Sequence, residues 1–336
     1  MEDSQNIKDE KYIKRALELA SQGRGSTSPN PLVGALIVKN NEIISEAYHE
    51  KAGQDHAEII AIKKAGYASK DSTLYLNLEP CCHYGKTPPC TKAIIEASIK
   101  RVVIGCKDEN EKVNGKSIEI LKQAGIEVKE GVLEEECKEF NKFFFHWIKT
   151  GFPYVSLKIA CSLNAKVNRN KNIERINWIS GEQSRIKVHE LRSLYDCVLT
   201  GSGTVLADNP MLTVRSFGGR NPLRVVLDRR GRCPLNSKIF DPTAKTLVFS
   251  SKDQTLKEIL YDLGKKENLS ILVEAGPKLI TSFLDEDLFQ DIFYFINPNL
   301  IIQNNNKSFY LGDKELNLKL KEIKNLGEDL MLYFKS

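Results

Sequence analysis

His56-Ala57-Glu58, followed by Glu79-Pro80-Cys81-Cys82-His83-Tyr84-Gly85-Lys86-Thr87-Pro88-Pro89-Cys90, decides how this chain is read. Together the two stretches supply one imidazole, two thiols and a carboxylate placed too close to His56 to share its metal. Three His and Cys ligands leave the fourth tetrahedral position of Zn²⁺ open to water, whose pKa the metal lowers towards about 7. Glu58, two residues beyond His56, is then free to carry protons to a ring nitrogen and a departing amine. A closed structural zinc site would need a fourth ligand from Cys82 or His83 and would leave Glu58 without a task. The pattern predicts metal ligands His56, Cys81 and Cys90, with Glu58 catalytic.

Local patterns place these groups. The β-branched, aromatic and leucine residues of 73–78 predict a strand running to Cys81. Cys90 opens the apolar-periodic stretch 91–97, a helix whose dipole would help to ionise its thiol. Eight residues separate the two cysteines, with Gly85 and the Pro88-Pro89 pair supplying turn geometry. Upstream, 7–22 reads as a helix, and 32–38 and 42–47 as strands joined by a hairpin at Lys39-Asn40-Asn41. Downstream, a strand at 101–105, a helix at 117–124, a short strand at 126–128 and one helix over 134–147 follow. Strands alternating with helices predict a three-layer α/β/α sandwich.

At 336 residues the chain has room for two domains. Thr150-Gly151-Phe152-Pro153 interrupts a helix just before a strand and marks the boundary, giving domains 1–150 and 151–336. The second half alternates too, with strands expected at 154–160, 197–200, 223–227, 246–249, 271–273, 291–296 and 330–334. Glu274-Ala275-Gly276-Pro277 is a strand-to-helix turn able to present backbone N–H groups to a phosphate.

Eight cysteines in a chain of this length suit reduced thiols, some of them metal-bound, rather than a disulfide framework. A net charge of +5 with mixed signs lacks the basic stripe of a nucleic-acid binder. No apolar run approaches the roughly 20 residues that cross a bilayer, and the first residues lack the pattern of a signal peptide. A cytoplasmic protein that binds neither nucleic acid nor membrane is expected.

Asn30-Pro31-Leu32-Val33-Gly34-Ala35, His56-Ala57-Glu58 and the long Cys81 to Cys90 spacing resemble the deaminase half of the bifunctional riboflavin-biosynthesis deaminase-reductase family. Lys158, the run from Gly201 to Pro210, Leu212-Thr213-Val214-Arg215 and Glu274-Ala275-Gly276-Pro277 resemble its reductase half. The resemblance implies a cytidine-deaminase-like domain followed by a dihydrofolate-reductase-like α/β domain. It implies hydrolytic deamination of a diaminopyrimidinone carrying a phosphorylated ribosylamino group, then reduction of the ribosyl to a ribityl chain. Zn²⁺ and NADPH are the implied cofactors, and a small phosphorylated pyrimidine and a homo-oligomer the implied partners.

Carried over by position, Trp178, Thr204, Asp208, Gly276, Pro277, Lys278 and Leu279 would touch the dinucleotide. Asn30 would bind the substrate of the first half, and Arg192, Leu212, Arg215 and Glu274 that of the second. The two arginines would suit a phosphate through their forked donors. Lys158 would lie at the reacting sugar carbon. Ser162-Leu163-Asn164-Ala165 stands where the family has Ser-Leu-Asp-Gly, and 166–177 is charged and Asn-rich where the family has small residues. The alternatives are a deaminase with an inactive reductase-like half and a zinc deaminase acting on nucleic acid.

Overall fold

The computed structural model describes residues 2–84, 88–167, 179–215, 219–302 and 315–336. The chain divides into two compact units, Met1–Gly151 and Phe152–Ser336.

In the first unit, α1 (Glu2–Ser21), β1 (Gly34–Lys39), β2 (Glu42–Tyr48), α2 (Ala57–Ala65) and β3 (Thr73–Leu78) are followed by α3 (Cys90–Glu96), β4 (Arg101–Cys106), α4 (Lys116–Gln123) and β5 (Glu127–Lys129). The strands form a sheet in the order β2-β1-β3-β4-β5, with β1 antiparallel to both neighbours and β3, β4 and β5 parallel. Strand alternation splits the core. Ala35, Ile37, Leu74, Leu76, Val102 and Ile104 pack against Ala57 and Ala61 of α2, Ile94 of α3 and Ile118 and Leu121 of α4. On the opposite face, Gly34 lets α1 close on β1, since a Cβ there would overlap the Ala16 carbonyl. The hairpin forms as expected: Asn40 and Asn41 both take left-handed φ, 53° and 65°, the geometry that a two-residue turn between twisted strands demands.

α1 is stapled across the sheet by a buried charge. Asp9, fully buried, accepts from both Nη atoms of Arg101 at 2.9 Å, from Lys129 at 2.9 Å and from the Tyr75 hydroxyl at 3.0 Å. Burial pushes its carboxyl up, but the bonds from Arg101 and Lys129 outweigh it and hold the pKa well below the usual carboxylate range.

The single helix expected over 134–147 is two: α5 (Glu134–Phe140) and α6 (Lys142–Thr150) meet at Asn141, whose φ of −104° and ψ of 20° leave the helical region. The break serves the loop before β1. Buried Asn141 accepts from the Leu32 N–H at 2.8 Å and donates to the Leu32 carbonyl at 3.0 Å, satisfying both backbone groups of a residue outside the sheet.

The second unit contains β6 (Tyr154–Ser162), α7 (Glu182–Leu194), β7 (Cys197–Gly201), α8 (Ser202–Asp208), β8 (Leu223–Leu227) and β9 (Thr246–Phe249). Then come α9 (Leu256–Lys265), β10 (Ser270–Glu274), α10 (Pro277–Asp285), β11 (Asp291–Asn297), β12 (Lys319–Leu326) and β13 (Asp329–Lys335). The sheet order is β12-β13-β11-β6-β10-β7-β8-β9, parallel from β11 to β9 and closed at one edge by the antiparallel hairpin β12 and β13. The central parallel strands are buried and largely apolar, as a sheet covered by helices requires, whereas β9 at the edge is partly exposed. β12 was not read from the sequence: its side chains are exposed up to Leu326, as on a charged sheet edge.

After β6, Ala165 takes a φ of +57°, the left-handed region a glycine would enter freely. Asn164 fastens that turn, accepting from the Ile301 N–H at 3.1 Å and donating to its carbonyl at 3.0 Å. The turn therefore forms without the glycine, at a cost of about 1 kcal/mol.

Candidate active sites

The ligand set converges in the first unit. His56 is the residue capping α2, Glu58 lies in the first turn, Cys81 follows β3 and Cys90 begins α3. The His56 Nδ1 to Cys90 Sγ distance is 3.1 Å, His56 Nδ1 to Cys81 Sγ 3.6 Å, and Cys81 Sγ to Cys90 Sγ 3.3 Å. Tetrahedral bonds of about 2.3 Å to sulfur and 2.0 Å to nitrogen span edges of about 3.5 to 3.8 Å, so the triangle nearly matches one face of a zinc tetrahedron. Among the described residues, this is the group of His, Cys and acidic side chains arranged to hold a metal ion. Cys82 points elsewhere, its thiol donating to the Lys112 carbonyl at 3.5 Å.

Within this triangle the two thiols and the imidazole are strongly coupled. The backbone N–H of Cys90, at the start of α3, points at Cys81 Sγ at 3.4 Å. Hydrogen bonding to Cys90 pushes the Cys81 thiol down to about 4 against its burial, whereas Cys90 is raised. The bond to Cys81 lifts His56 to about 9.

Glu58 is 2 % exposed, and its Oε2 has no hydrogen-bond partner. Burial raises its pKa. An orphaned buried carboxylate oxygen beside three soft metal donors is what an open zinc site needs, and the residues present fit Zn²⁺.

Asn30 lies in the loop before β1, its Nδ2 3.0 Å from Nε2 of buried His49. The other ring nitrogen of His49 faces the Asp55 carbonyl at 3.0 Å, and its ring stands edge-on to His56 at 5.3 Å between centroids. A carbonyl only accepts, so His49 Nδ1 carries the proton and Nε2 accepts from the Asn30 amide. Asn30 Oδ1 is thereby turned away from His49. His49 was missed because a lone histidine at the end of a strand carries no local signal.

In the second unit, register places Lys158 of β6 directly beside Glu274 of β10. Glu274 is 8 % exposed and binds Arg192 of α7 through both oxygens, Nε to Oε1 at 2.5 Å and Nη2 to Oε2 at 2.9 Å. Burial pushes the Glu274 carboxyl up, but Arg192 outweighs it and holds the pKa below the usual range. Burial lowers Lys158, with Glu274 opposing. The fork of Arg192 expected to meet a phosphate is thus engaged by Glu274, while Arg215 is exposed.

The residues expected at a dinucleotide also gather. Thr204 and Asp208 lie on α8 after β7, and Gly276 caps α10 after β10, the strand next to β7. The Gly276 N–H donates to the Thr204 hydroxyl at 3.1 Å. Pro277, Lys278 and Leu279 form the first turn of α10, and Leu279 packs where a Cβ on Gly201 would stand 3.3 Å from it. A Cβ on Gly203 would meet nothing within 4 Å, and one on Gly276 only Thr204 Oγ1 at 3.9 Å. Two accessible backbones at the carboxyl ends of adjacent parallel strands form a cradle that fits an NADPH phosphate. Trp178 and the greater part of the 166–177 segment lie outside the described residues, as do Gly85, Lys86 and Thr87.

Comparison with known proteins bears on both units. Residues 6–106 match the family model described as the cytidine and deoxycytidylate deaminase zinc-binding region, and residues 153–332 match the RibD C-terminal domain. The riboflavin biosynthesis protein RibD of Aquifex aeolicus is 40% identical, covering 97% of this chain and 98% of its own length. That of Escherichia coli strain K12 is 36% identical, covering 97% and 99%. The chain belongs to the RibD family.

Solved RibD structures agree in fold. A Thermotoga maritima structure described as a diaminohydroxyphosphoribosylaminopyrimidine deaminase/5-amino-6-(5-phosphoribosylamino)uracil reductase is 37% identical with a TM-score of 0.91, covering 98% of this chain and 99% of that one. Acinetobacter baumannii RibD, form 1, is 36% identical with a TM-score of 0.89 and the same coverages. This RibD chain is a bifunctional enzyme with a zinc-type deaminase domain and a reductase domain, for which the family implies Zn²⁺ and NADPH. Among the described residues no helix is long and apolar enough to cross a membrane.

Proposed function

We propose that the first half of the chain deaminates a diaminohydroxyphosphoribosylaminopyrimidine and that the second half reduces the ribosyl group of the product to ribityl, two consecutive steps of riboflavin biosynthesis. The reading rests chiefly on the His56, Cys81 and Cys90 triangle with the Glu58 carboxylate, one oxygen unpartnered, buried beside it. Zinc held by those three residues would supply an activated water at neutral pH. Glu58 accepts the proton released there, delivers it to the ring nitrogen next to the amine-bearing carbon, and hands a second to the departing ammonia. Its burial excludes competing water. Asn30, turned by His49 so that Oδ1 faces away from the imidazole, accepts from a ring N–H or ribose hydroxyl.

In the second half, NADPH would supply hydride to the sugar carbon. Thr204, Asp208 and the turn from Gly276 to Leu279, with Trp178, bind the dinucleotide. Lys158 lies at the reacting carbon, its ammonium 5.9 Å from the centroid of the Phe295 ring and under the charge of Glu274 on the adjacent strand. Arg215 takes the substrate phosphate with Leu212 beside it. Arg192 and Glu274 contribute as a locked pair, Arg192 offering its remaining donor edge to the substrate.

The free thiols among the described residues suit the cytoplasm. A homo-oligomer completes the proposal, to be checked by light scattering. The test of function is incubation of the full chain with the diamino substrate, with and without NADPH, following ammonia and nicotinamide absorbance separately. Ammonia is expected in both arms and NADPH oxidation in one. Ammonia release without any NADPH oxidation would confine the function to the first half, and neither signal would refute the reading.

A further inference from the structure

The backbone of residues 211–215 is fastened from several sides. Arg224, fully buried on β8, reaches the Met211 carbonyl at 3.2 Å. His189 Nδ1 and Arg192 Nη1, one turn apart on α7, both reach the Thr213 carbonyl, at 2.9 and 3.1 Å. Asn221 Oδ1 accepts from the Val214 N–H at 2.8 Å. Between these clamps Leu212 is held at a φ of +52°, a conformation that a bulky L side chain rarely adopts.

Within this over-determined segment the side chain of Thr213 is the exception. It is 2 % exposed, yet its hydroxyl has no hydrogen-bond partner. A buried hydroxyl that has lost water and gained nothing is uncommon in folded proteins. The Thr200 hydroxyl, fully buried on β7, is also unpartnered, and the register that pairs Leu199 with Val273 sets Thr200 beside Glu274. Backbone strain and unpaired hydroxyls thus collect around the Arg192 and Glu274 ion pair. Such cost persists where a ligand relieves it.

We propose that Thr213 is a further specificity-determining contact for the sugar phosphate of the reductase half, its hydroxyl bonding a hydroxyl or phosphate oxygen of that ligand, and that His189 is the positioning residue that aims it. The proposal rests on the function given above and adds to it a residue that discriminates substrate rather than cofactor. His189 needs only its neutral form, with Nδ1–H donating to the Thr213 carbonyl at 2.9 Å, the shorter of its two contacts, so that the Arg215 N–H 3.3 Å away gains no bond from it. Its burial and the facing Arg192 and Arg215 keep it neutral, with Glu274 opposing.

The test compares Thr213→Val, His189→Leu and His189→Asn in the full chain, by NADPH oxidation with the deaminated substrate, by calorimetric binding of that substrate and by thermal unfolding. Thr213→Val replaces the hydroxyl by a methyl of the same size. It should weaken the sugar phosphate by about three- to tenfold while leaving the KM for NADPH and ammonia release unchanged. Its ligand-free Tm should stay level or rise, because a methyl needs no partner; a hydroxyl with a structural bond would give a fall. His189→Leu should reproduce the loss of affinity, and His189→Asn, whose amide can donate in place of Nδ1, should restore it. Unchanged substrate affinity in Thr213→Val, or a lowered Tm, overturns the proposal. Wild-type protein that binds the sugar phosphate without oxidising NADPH refutes the reductase reading but leaves the affinity comparison to decide on Thr213. Absence of binding by the wild type overturns both.

Discussion

Replacing Arg192 by methionine strands a carboxylate inside the second unit. Glu274 is 8 % exposed, and both its oxygens are bound by the Arg192 guanidinium. Removing one partner of such a pair costs about 3 to 5 kcal/mol, because the remaining charge stays buried without compensation. Lys158, the register partner of Glu274, retains part of that compensation, so the lower end, about 3 kcal/mol, is expected. With a urea m-value of about 2 kcal/mol per molar, the midpoint should fall by about 1.5 M. Urea unfolding followed by circular dichroism reads that midpoint. The double variant Arg192→Met with Glu274→Gln should recover at least half of the loss, as it buries no unpaired charge.

The effect of pH has a definite sign. In the parent, Glu274 is held below the usual carboxylate range, so its contribution is present above the unfolded pKa of about 4.3 and is lost as pH falls through the folded value. Without Arg192, burial is expected to outweigh what Lys158 supplies, and the pKa should rise above the unfolded value. The penalty is then present at neutral pH and relieved on acidification, so the gap between variant and parent should narrow from pH 7 to pH 5. A loss below about 1 kcal/mol, or a double variant no more stable than the single one, would refute this account of the pair.

Glu58→Gln should keep its metal and lower ammonia release by about 10²- to 10⁴-fold, with reduction of supplied deaminated substrate unchanged; release within tenfold of the parent would remove Glu58 from proton transfer. Metal analysis should find one zinc per chain in the parent and in Cys82→Ser but little in Cys90→Ser, and the opposite pattern would reassign the ligands. Asp9→Asn should destabilise the first unit by about 2 to 4 kcal/mol by leaving Arg101 and Lys129 short of their partner. Because Asp9 is held low in the fold, its contribution in the parent should persist above about pH 4 and fade below it, which acid titration of the first unit's unfolding midpoint checks.

The His56, Cys81 and Cys90 triangle was legible because each residue sits next to a local signal: His56 before a helix, Cys81 after a β-rich run, Cys90 at a Pro-Pro helix start. The strand and helix alternation was legible for the same reason, and the Asn40-Asn41 hairpin because its turn chemistry is local. The helix break at Asn141 was hidden, since Asn there answers to Leu32, more than a hundred residues away in sequence. β12 was hidden because an exposed charged edge has no buried face to impose a pattern.

The sequence by itself therefore determined which donors the first half brings together, since donor types and spacing suffice to predict an open zinc site with a separate proton carrier, and it determined the α/β class through local periodicity. Tertiary structure alone decided which groups are free to act. It assigned Arg192 to Glu274, turned the Asn30 amide through His49, brought Cys81 and Cys90 to His56 and left the Thr213 hydroxyl unpaired. These outcomes depend on distances between residues far apart in the chain. Burial makes those distances decisive, because a polar group removed from water must take whatever partner the fold brings to it or remain without one.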